Sequence, residues 1–117
     1  MGLRKRLRRL TAPVEELERD RLQARFGGHD VTRCGDVEPR TRVAVVGEIQ
    51  ATKVVPRAGS PSLEVTVDDG TGQVVAVFTG RKRLGGVGPG RGVVVDGVPR
   101  DERGRLVMLN PAYRLLP

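Results

Sequence analysis

Disulfides, stacking side chains and membrane-length apolar runs are scarce or absent in this sequence. Its single cysteine, Cys34, excludes an internal disulfide and fits a reducing compartment. Its aromatic residues are two phenylalanines and one tyrosine, with no tryptophan. No run approaches the ~18 apolar residues of a membrane span. No apolar stretch follows the basic residues 4–9 as it does in a secretory signal. We therefore expect a cytoplasmic protein.

Catalytic and metal-binding patterns are also missing. Four candidate ligands lie close together in the chain: His29, Asp30, Cys34 and Asp36. Their spacing matches no zinc site, and the rest of the sequence supplies no further strong ligand to complete one. We therefore expect no metal and no cofactor. The lone histidine has no serine or cysteine at a catalytic spacing, and the glycine-rich stretch 80–90 is not a phosphate-binding P-loop. The sequence therefore predicts a protein that is not an enzyme.

Basic residues are abundant. The chain of 117 residues has 21 lysines and arginines against 14 acidic residues, a net charge of +7, and 18 of the 21 are arginine. This excess suits a polyanionic partner such as nucleic acid, and the planar guanidinium suits phosphates and base edges. A GC-rich genome also raises the content of arginine, glycine, valine and alanine, so composition alone leaves both explanations open.

The first 28 residues divide into a basic arm and a helix. Residues 1–10 form the arm, with its charges at Arg4, Lys5, Arg6, Arg8 and Arg9. Such an arm either orders on a phosphate backbone or stays a solvated tail. Residues 11–28 are predicted to form a helix that ends at Gly27 and Gly28. The helix has a loose apolar stripe, which covers an open barrel end or docks a partner helix: Val14, Leu17, Leu22 and Phe26.

A β-hairpin over Leu63–Thr79 is the most specific signal. Apolar and polar residues alternate before and after the segment Asp68–Gly72, as in half-buried strands. We predict a loop longer than two residues with a bulge, a positive φ angle at Gly70 or Gly72, and turn capping by Asp68 and Asp69. Valine in place of the positive-φ glycine is expected to be markedly destabilising.

The fold class that follows is mostly all-β, a five-stranded antiparallel barrel over residues 42–115 preceded by one helix. Gly47 marks a bend or bulge in the long first strand, and residues 56–61 form a loop. The predicted strands are Val43–Val54, Leu63–Val67, Val74–Thr79, Val93–Val98 and Leu106–Asn110. The side chains expected to point inward are Val45, Ile49, Val65, Val67, Val74, Ala76 and Phe78.

With these strands placed, the chain resembles an OB-fold nucleic-acid-binding domain. The resemblance lies in Val45–Ile49, the hairpin Val65–Phe78, the segment Pro89–Gly97 and the segment Val107–Tyr113. The last three are similar to the wedge OB domain of the bacterial branched-DNA helicase. The whole chain, with its arginine-rich start and helix, looks more like the stand-alone OB proteins of actinobacteria.

The resemblance implies a ligand site across the second and third strands, clamped by the loops that follow the first and fourth strands. On this sequence it corresponds to Arg57, to the outer hairpin residues Thr66, Val75, Val77 and Thr79, and to Arg100, Arg103 and Arg105. The basic residues Arg81, Lys82 and Arg83 are expected to add phosphate contacts. The outer hairpin face offers valines where stacking rings are usual, so it is also a candidate protein-contact patch.

Two functions are consistent with these observations. The first is a non-enzymatic nucleic-acid-binding module that acts mainly by electrostatics, with weak sequence selectivity and a preference for single-stranded or branched DNA over RNA. The alternative is a protein-interaction module that docks a partner through its valine face and N-terminal helix. A membrane partner is not expected.

Overall fold

The computed structural model describes the backbone of residues 2–117 and the side chains of residues 13–117. The side chains of the predicted basic arm, Arg4–Arg9, therefore lie outside the described residues. The chain forms one α-helix, α1 (Gly2–Phe26), and a short 3-10 helix over Cys34–Asp36. The strands are β1 (Val43–Arg57), β2 (Ser60–Asp68), β3 (Gln73–Thr79), β4 (Gly92–Gly97), β5 (Pro99–Glu102), β6 (Arg105–Leu109) and β7 (Ala112–Leu115).

These strands form one sheet in the order β5-β6-β3-β2-β1-β4-β7. The fold is mostly β with one N-terminal helix, as predicted, but the expected count of five strands is wrong. All neighbouring pairs are antiparallel except β3 and β6, which run parallel. Only Val98 separates β4 from β5, although these strands lie near opposite ends of the order. The sheet must therefore curl back on itself as a half-barrel.

The two additional strands come from segments read as a turn and a tail. Residues 99–102 pair with 105–108 through a two-residue turn, in which Arg103 has φ 54° and Gly104 has φ 84°. Two positive φ angles are typical of the type I′ turn that matches strand twist. After a bend at Asn110 and Pro111, β7 returns to pair with β4. The bends at Val98 and at Asn110 and Pro111 connect strands that lie near opposite ends of the sheet order: β4 to β5, and β6 to β7.

The interior of the half-barrel contains the residues that alternation assigned to it. Val45, Ile49 and Phe78 are 0%, 1% and 8% exposed, and Phe78 packs in the same cluster as the other inward-pointing residues. All seven residues predicted to point inward belong to this cluster: Val45, Ile49, Val65, Val67, Val74, Ala76 and Phe78. The predicted register of the hairpin is therefore confirmed.

The first hairpin is longer than predicted. β1 and β2 continue to Arg57 and Ser60, so the expected loop over residues 56–61 shrinks to a turn at Ala58 and Gly59. The expected irregularity in β1 occurs between Ile49 and Ala51, where the register shifts, rather than at Gly47. Gly47 has another role: a Cβ there would lie 2.7 Å from the carbonyl oxygen of Asp68. The glycine therefore permits close approach of two strands.

The turn between β2 and β3 follows the prediction in most respects. Gly70 has φ 89°, and the backbone N–H of Gly70 donates to Oδ1 of Asp68 over 2.7 Å. Asp69 accepts from the N–H of Thr71 over 2.9 Å. The loop is longer than two residues, as expected, but β2 and β3 pair with no register shift, so the bulge predicted for this hairpin is wrong.

Helix α1 packs against β1 with its C-terminal turns. Leu22 and Phe26 are buried against Val46, and they form a cluster separate from the half-barrel interior. Val14 and Leu17, the other members of the predicted stripe, are 65% and 67% exposed. Half of the stripe therefore covers the sheet and half faces solvent. In the part of the chain that the structure describes, no helix has both the length and the apolar character needed to cross a bilayer.

Candidate nucleic-acid interface

The outer face of β3 is not the exposed valine surface that the sequence suggested. Val75 and Val77 are 6% and 0% exposed, and with Val107 of β6 they form a small buried cluster. Alternation places both valines outside the half-barrel, and this is correct. The expectation that they face solvent as a contact patch is wrong, because charged side chains from neighbouring strands cover them.

One ion pair crosses directly over this cluster. Nη1 of Arg105 on β6 donates to Oε1 of Glu64 on β2 over 3.1 Å, and β3 lies between these two strands. Glu64 is only 5% exposed. Its hydrogen bond raises the pKa of Arg105, as expected where a carboxylate stabilises the guanidinium cation. The methylene groups of both side chains shield the valines from water.

A second ion pair joins the two hairpins that the resemblance treats as clamps. Arg57 at the end of β1 contacts Glu102 of β5, and Arg100 also reaches Glu102 over 2.6 Å. Burial alone would raise the pKa of Glu102, but hydrogen bonds from Arg100 and Arg57 more than offset this and lower it. Arg57, Arg100 and Arg105 are thus each paired with a carboxylate, but Arg57 and Arg100 share that of Glu102, so one positive charge is left in excess at that pair.

Two open grooves flank this covered region. One, of about 380 Å³, is lined by Thr66, Val75 and Arg105 together with Gln73, Gly104 and Leu106. The other, of about 460 Å³, is lined by Arg57, Thr79 and Leu109 together with Ala58, Ser60 and Gly80. The predicted residue Thr66 lies on β2 opposite Val75, Thr79 ends β3, and each lines one of these grooves.

The segment Arg81–Arg83, here called the basic loop, follows β3 directly. Its three side chains are exposed, and among residues 13–117 none of them forms an ion pair. Arg103, in the turn between β5 and β6, is likewise exposed and unpaired with any described residue. No described carboxylate pairs with these four cations, in contrast to Arg57, Arg100 and Arg105.

Asn110 ties the start of the basic loop to the last strand. Its N–H donates to the carbonyl oxygen of Val77 over 2.7 Å, and its Oδ1 accepts from N and Oγ1 of Thr79 over 3.0 and 3.2 Å. Three residues later Tyr113 packs edge-to-face on Phe78, with 5.3 Å between ring centroids. Tyr113 is 41% exposed. The sequence reading did not select Tyr113, although it is an aromatic residue outside the predicted strands.

The candidate metal ligands of the connector do not converge. Cys34 is buried, and burial raises the pKa of its thiol, with the nearby Asp69 carboxylate adding to the effect. Asp36 pairs with Arg33 over 3.2 Å. Over the described residues, no group of three or more histidine, cysteine, aspartate or glutamate side chains is placed to hold a metal ion.

No protein-family model matches this chain, and no curated protein matches it. Solved structures do. A replication protein A heterotrimer bound to ssDNA has a TM-score of 0.50 and 17% identity, over 71% of this chain and 62% of that one. The S. pombe Stn1–Ten1 complex has a TM-score of 0.50 and 22% identity, over 64% of this chain and 57% of that one.

RecG bound to a three-way DNA junction has a TM-score of 0.53 and 18% identity, over all of this chain and 17% of that one. The chain thus spans less than two thirds of the length of each of these three neighbours. At such identities the likeness shows the fold alone, and that fold is the OB fold. The resemblance to OB-fold domains predicted from the sequence is therefore confirmed.

Proposed function

We propose that this chain is a non-enzymatic OB module that binds nucleic acid mainly through electrostatic contacts, with weak sequence selectivity. The observation that supports this most directly is the basic loop, where three adjacent exposed cations form no ion pair with a described residue. Cations in that state bind phosphate without first losing a partner. Phosphate contacts position a strand but carry no sequence information, so weak selectivity follows.

The type of nucleic acid is a finer part of the proposal. Two of the structural neighbours were solved with ssDNA and with a three-way DNA junction. By analogy we propose single-stranded or branched DNA as the ligand of this chain, in preference to RNA. We propose secondary contacts from residues on or beside β2 and β3: Thr66, Thr79, Arg57, Arg100, Arg103 and Arg105. Val75 and Val77 are not retained, because they have almost no accessible surface.

The test is a fluorescence titration of labelled single-stranded, duplex and forked DNA and RNA at several salt concentrations. Each neutralised phosphate contributes about −0.7 to the slope of log K against log[salt] for single strands. The variant Arg81→Ala/Lys82→Ala/Arg83→Ala should therefore bind more weakly, with a slope shallower by up to about two. Its thermal stability should change little, since surface substitutions rarely matter to folding.

A matched control removes three exposed cations that form no ion pair with a described residue elsewhere: Arg19→Ala, Arg40→Ala and Lys53→Ala. It has the same net charge as the first variant, so a site-specific effect leaves its slope closer to that of the wild type.

Deleting residues 2–9 should weaken binding to every strand tested by a similar factor, because the arm is proposed to contact phosphates only. Wild-type protein that binds nothing at low salt would refute the proposal.

The alternative is a protein-interaction module that docks a partner through the valine face and the N-terminal helix. Because Val75 and Val77 are buried, of these two surfaces only the exposed part of α1 supports it. Residues 13–21 of the helix are all exposed, including Val14 and Leu17. An exposed pair of apolar residues three positions apart on a helix suits a partner helix. Salt-insensitive self-association in sedimentation velocity, abolished by Val14→Ser/Leu17→Ser, would support this alternative over the first proposal.

A further inference from the structure

Tyr113 is the one exposed side chain among the two phenylalanines and one tyrosine of this protein. The structure describes all three aromatic residues, and Phe26 and Phe78 are only 4% and 8% exposed. Tyr113 lies on β7, the strand at one end of the sheet order, and it is 41% exposed. Its edge-to-face contact with Phe78, at an interplanar angle of 73°, holds the ring in a defined orientation.

The same ring contacts the end of β3, the strand from which the basic loop follows. Phe78 is three residues before Arg81 in the chain, and the hydrogen bonds of Asn110 to Val77 and Thr79 hold the start of β7 against the end of β3. The exposed ring and the basic loop therefore emerge from the same end of the half-barrel. An aromatic platform next to cations is the combination by which proteins bind single strands, since bases stack while phosphates are neutralised.

The outer face of β3 offers no such combination. Its apolar residues are the buried valines Val75 and Val77, and three of the arginines around it are paired with Glu64 or Glu102. A base has no ring to stack on there, and a phosphate that binds Arg57, Arg100 or Arg105 competes with a carboxylate. These observations direct the search for base contacts away from that face and toward β7.

We propose that Tyr113 stacks on an unpaired base of a single strand whose phosphates are bound by Arg81, Lys82 and Arg83. This inference rests on the proposed function and adds a base-contacting site to it. Because every base has a π-face, stacking on Tyr113 favours unpaired over paired strands without selecting a sequence. The site thus provides a physical reason for a single-strand preference that phosphate contacts alone lack.

The composition of the chain makes the test direct. There is one tyrosine and no tryptophan, so the intrinsic tyrosine emission of the protein comes from Tyr113 alone. We expect an oligothymidylate to quench this emission after correction for its absorbance. An abasic oligonucleotide of the same length has the same phosphates but no bases, and it should bind without quenching.

Three substitutions separate stacking from packing on Phe78. Tyr113→Phe keeps an aromatic ring, and it should bind oligothymidylate as the wild type does. Tyr113→Leu keeps an apolar contact with Phe78 but cannot stack, and Tyr113→Ala removes both. Both of these variants should lose about tenfold in affinity for oligothymidylate, with an unchanged salt slope and an unchanged affinity for the abasic strand.

The outcomes are distinguishable. If Tyr113→Leu binds oligothymidylate as tightly as the wild type, the stacking proposal is wrong while the proposed function stands. The same conclusion holds if Tyr113→Ala alone binds more weakly, because the loss then reflects packing on Phe78. If wild-type protein binds neither oligothymidylate nor the abasic strand at low salt, both proposals fail. Circular dichroism melting of each variant verifies that the affinities are measured on folded protein.

Discussion

A single carboxylate, that of Asp69, connects the hairpin turn to the preceding connector. Its Oδ1 accepts from N and Oγ1 of Thr71 over 2.9 and 2.6 Å, and its Oδ2 accepts from the N–H of Cys34 over 2.9 Å. The residue is only 6% exposed. A buried carboxylate is costly unless its oxygens are hydrogen-bonded, and these three donors satisfy it. The Asp-Asp-Gly segment is therefore a tertiary anchor as well as a turn.

Gly70, between β2 and β3, and Gly59, between β1 and β2, are two turn glycines with positive φ. Comparing them separates the cost of the backbone conformation from the cost of a close tertiary contact. Both have positive φ, 89° and 79°, but a Cβ at Gly70 would lie 2.5 Å from the carbonyl oxygen of Arg19, whereas nothing lies within 4 Å at Gly59. Gly59→Ala should lower the free energy of unfolding by about 1 kcal/mol, the cost of the left-handed conformation alone. Gly70→Ala should cost at least about 1 kcal/mol more, because α1 must also move.

Urea denaturation of both variants measures this difference. Gly70→Val, with a larger β-branched side chain, should be more destabilising still. Equal effects of alanine at the two positions would show that the contact with α1 is unimportant and that backbone conformation accounts for the whole requirement.

At the scale of elements, the attachment of α1 depends on one buried acid as well as on apolar packing. Glu48 on β1 is 8% exposed, and its oxygens accept from Arg21 over 2.7 Å and from Arg25 over 2.5 Å. The hydrogen bond from Arg21, reinforced by the charge of Arg25, lowers the pKa of Glu48 from its ordinary value of 4.5. The ionised form is thus favoured in the folded protein.

Glu48→Gln should lower the free energy of unfolding at pH 7 by about 1 kcal/mol, a low value for charged hydrogen bonds because both arginines are partly exposed. Because the pKa of Glu48 is lower in the folded protein than its ordinary value of 4.5, the stabilisation is fully present above pH 4.5. It is lost as the pH falls below 4.5 and through the lower pKa of the folded protein. The difference between wild type and variant should therefore shrink in acid. Thermal melts at several pH values measure it, with Glu16→Gln, an exposed helix position, as the control.

At the scale of the whole molecule, the two clamp hairpins contact each other across the sheet. In the strand order, β1 and β5 are separated by three strands, yet Arg57 and Glu102 form an ion pair. With the Arg105–Glu64 pair, it covers the face where the resemblance implied a ligand. Glu64 and Glu102 occupy their arginines as a phosphate would, so they compete with nucleic acid for these cations.

Glu102→Gln should accordingly increase affinity for oligothymidylate several-fold at low salt. Freeing Arg57 and Arg100 should also steepen the salt slope by about 0.7 for each arginine that gains a phosphate. Glu15→Gln adds the same net charge on the exposed part of α1, and it should change affinity less and leave the slope unchanged. Equal changes in both variants would mean that only net charge matters.

The sequence by itself determined the inner half of this protein. Alternation along Leu63–Thr79 placed Val65, Ala76 and Phe78 inside because the two faces of a strand are a local property of the backbone, and the positive φ of Gly70 is likewise local to the turn. The additional strands β5 and β7 were missed, because short segments with proline and charge become strands only when a distant partner pairs with them.

The outer half was decided by tertiary structure alone. Nothing local to Val75 or Val77 indicates burial, since the side chains that cover them come from Glu64 and Arg105 on strands far apart in the chain. The same holds for which cations are neutralised: Arg57 and Arg81 look alike in sequence, and only the meeting of two hairpins gives Arg57 a carboxylate. Long-range pairs of this kind depend on the curl of the sheet, which no local pattern encodes.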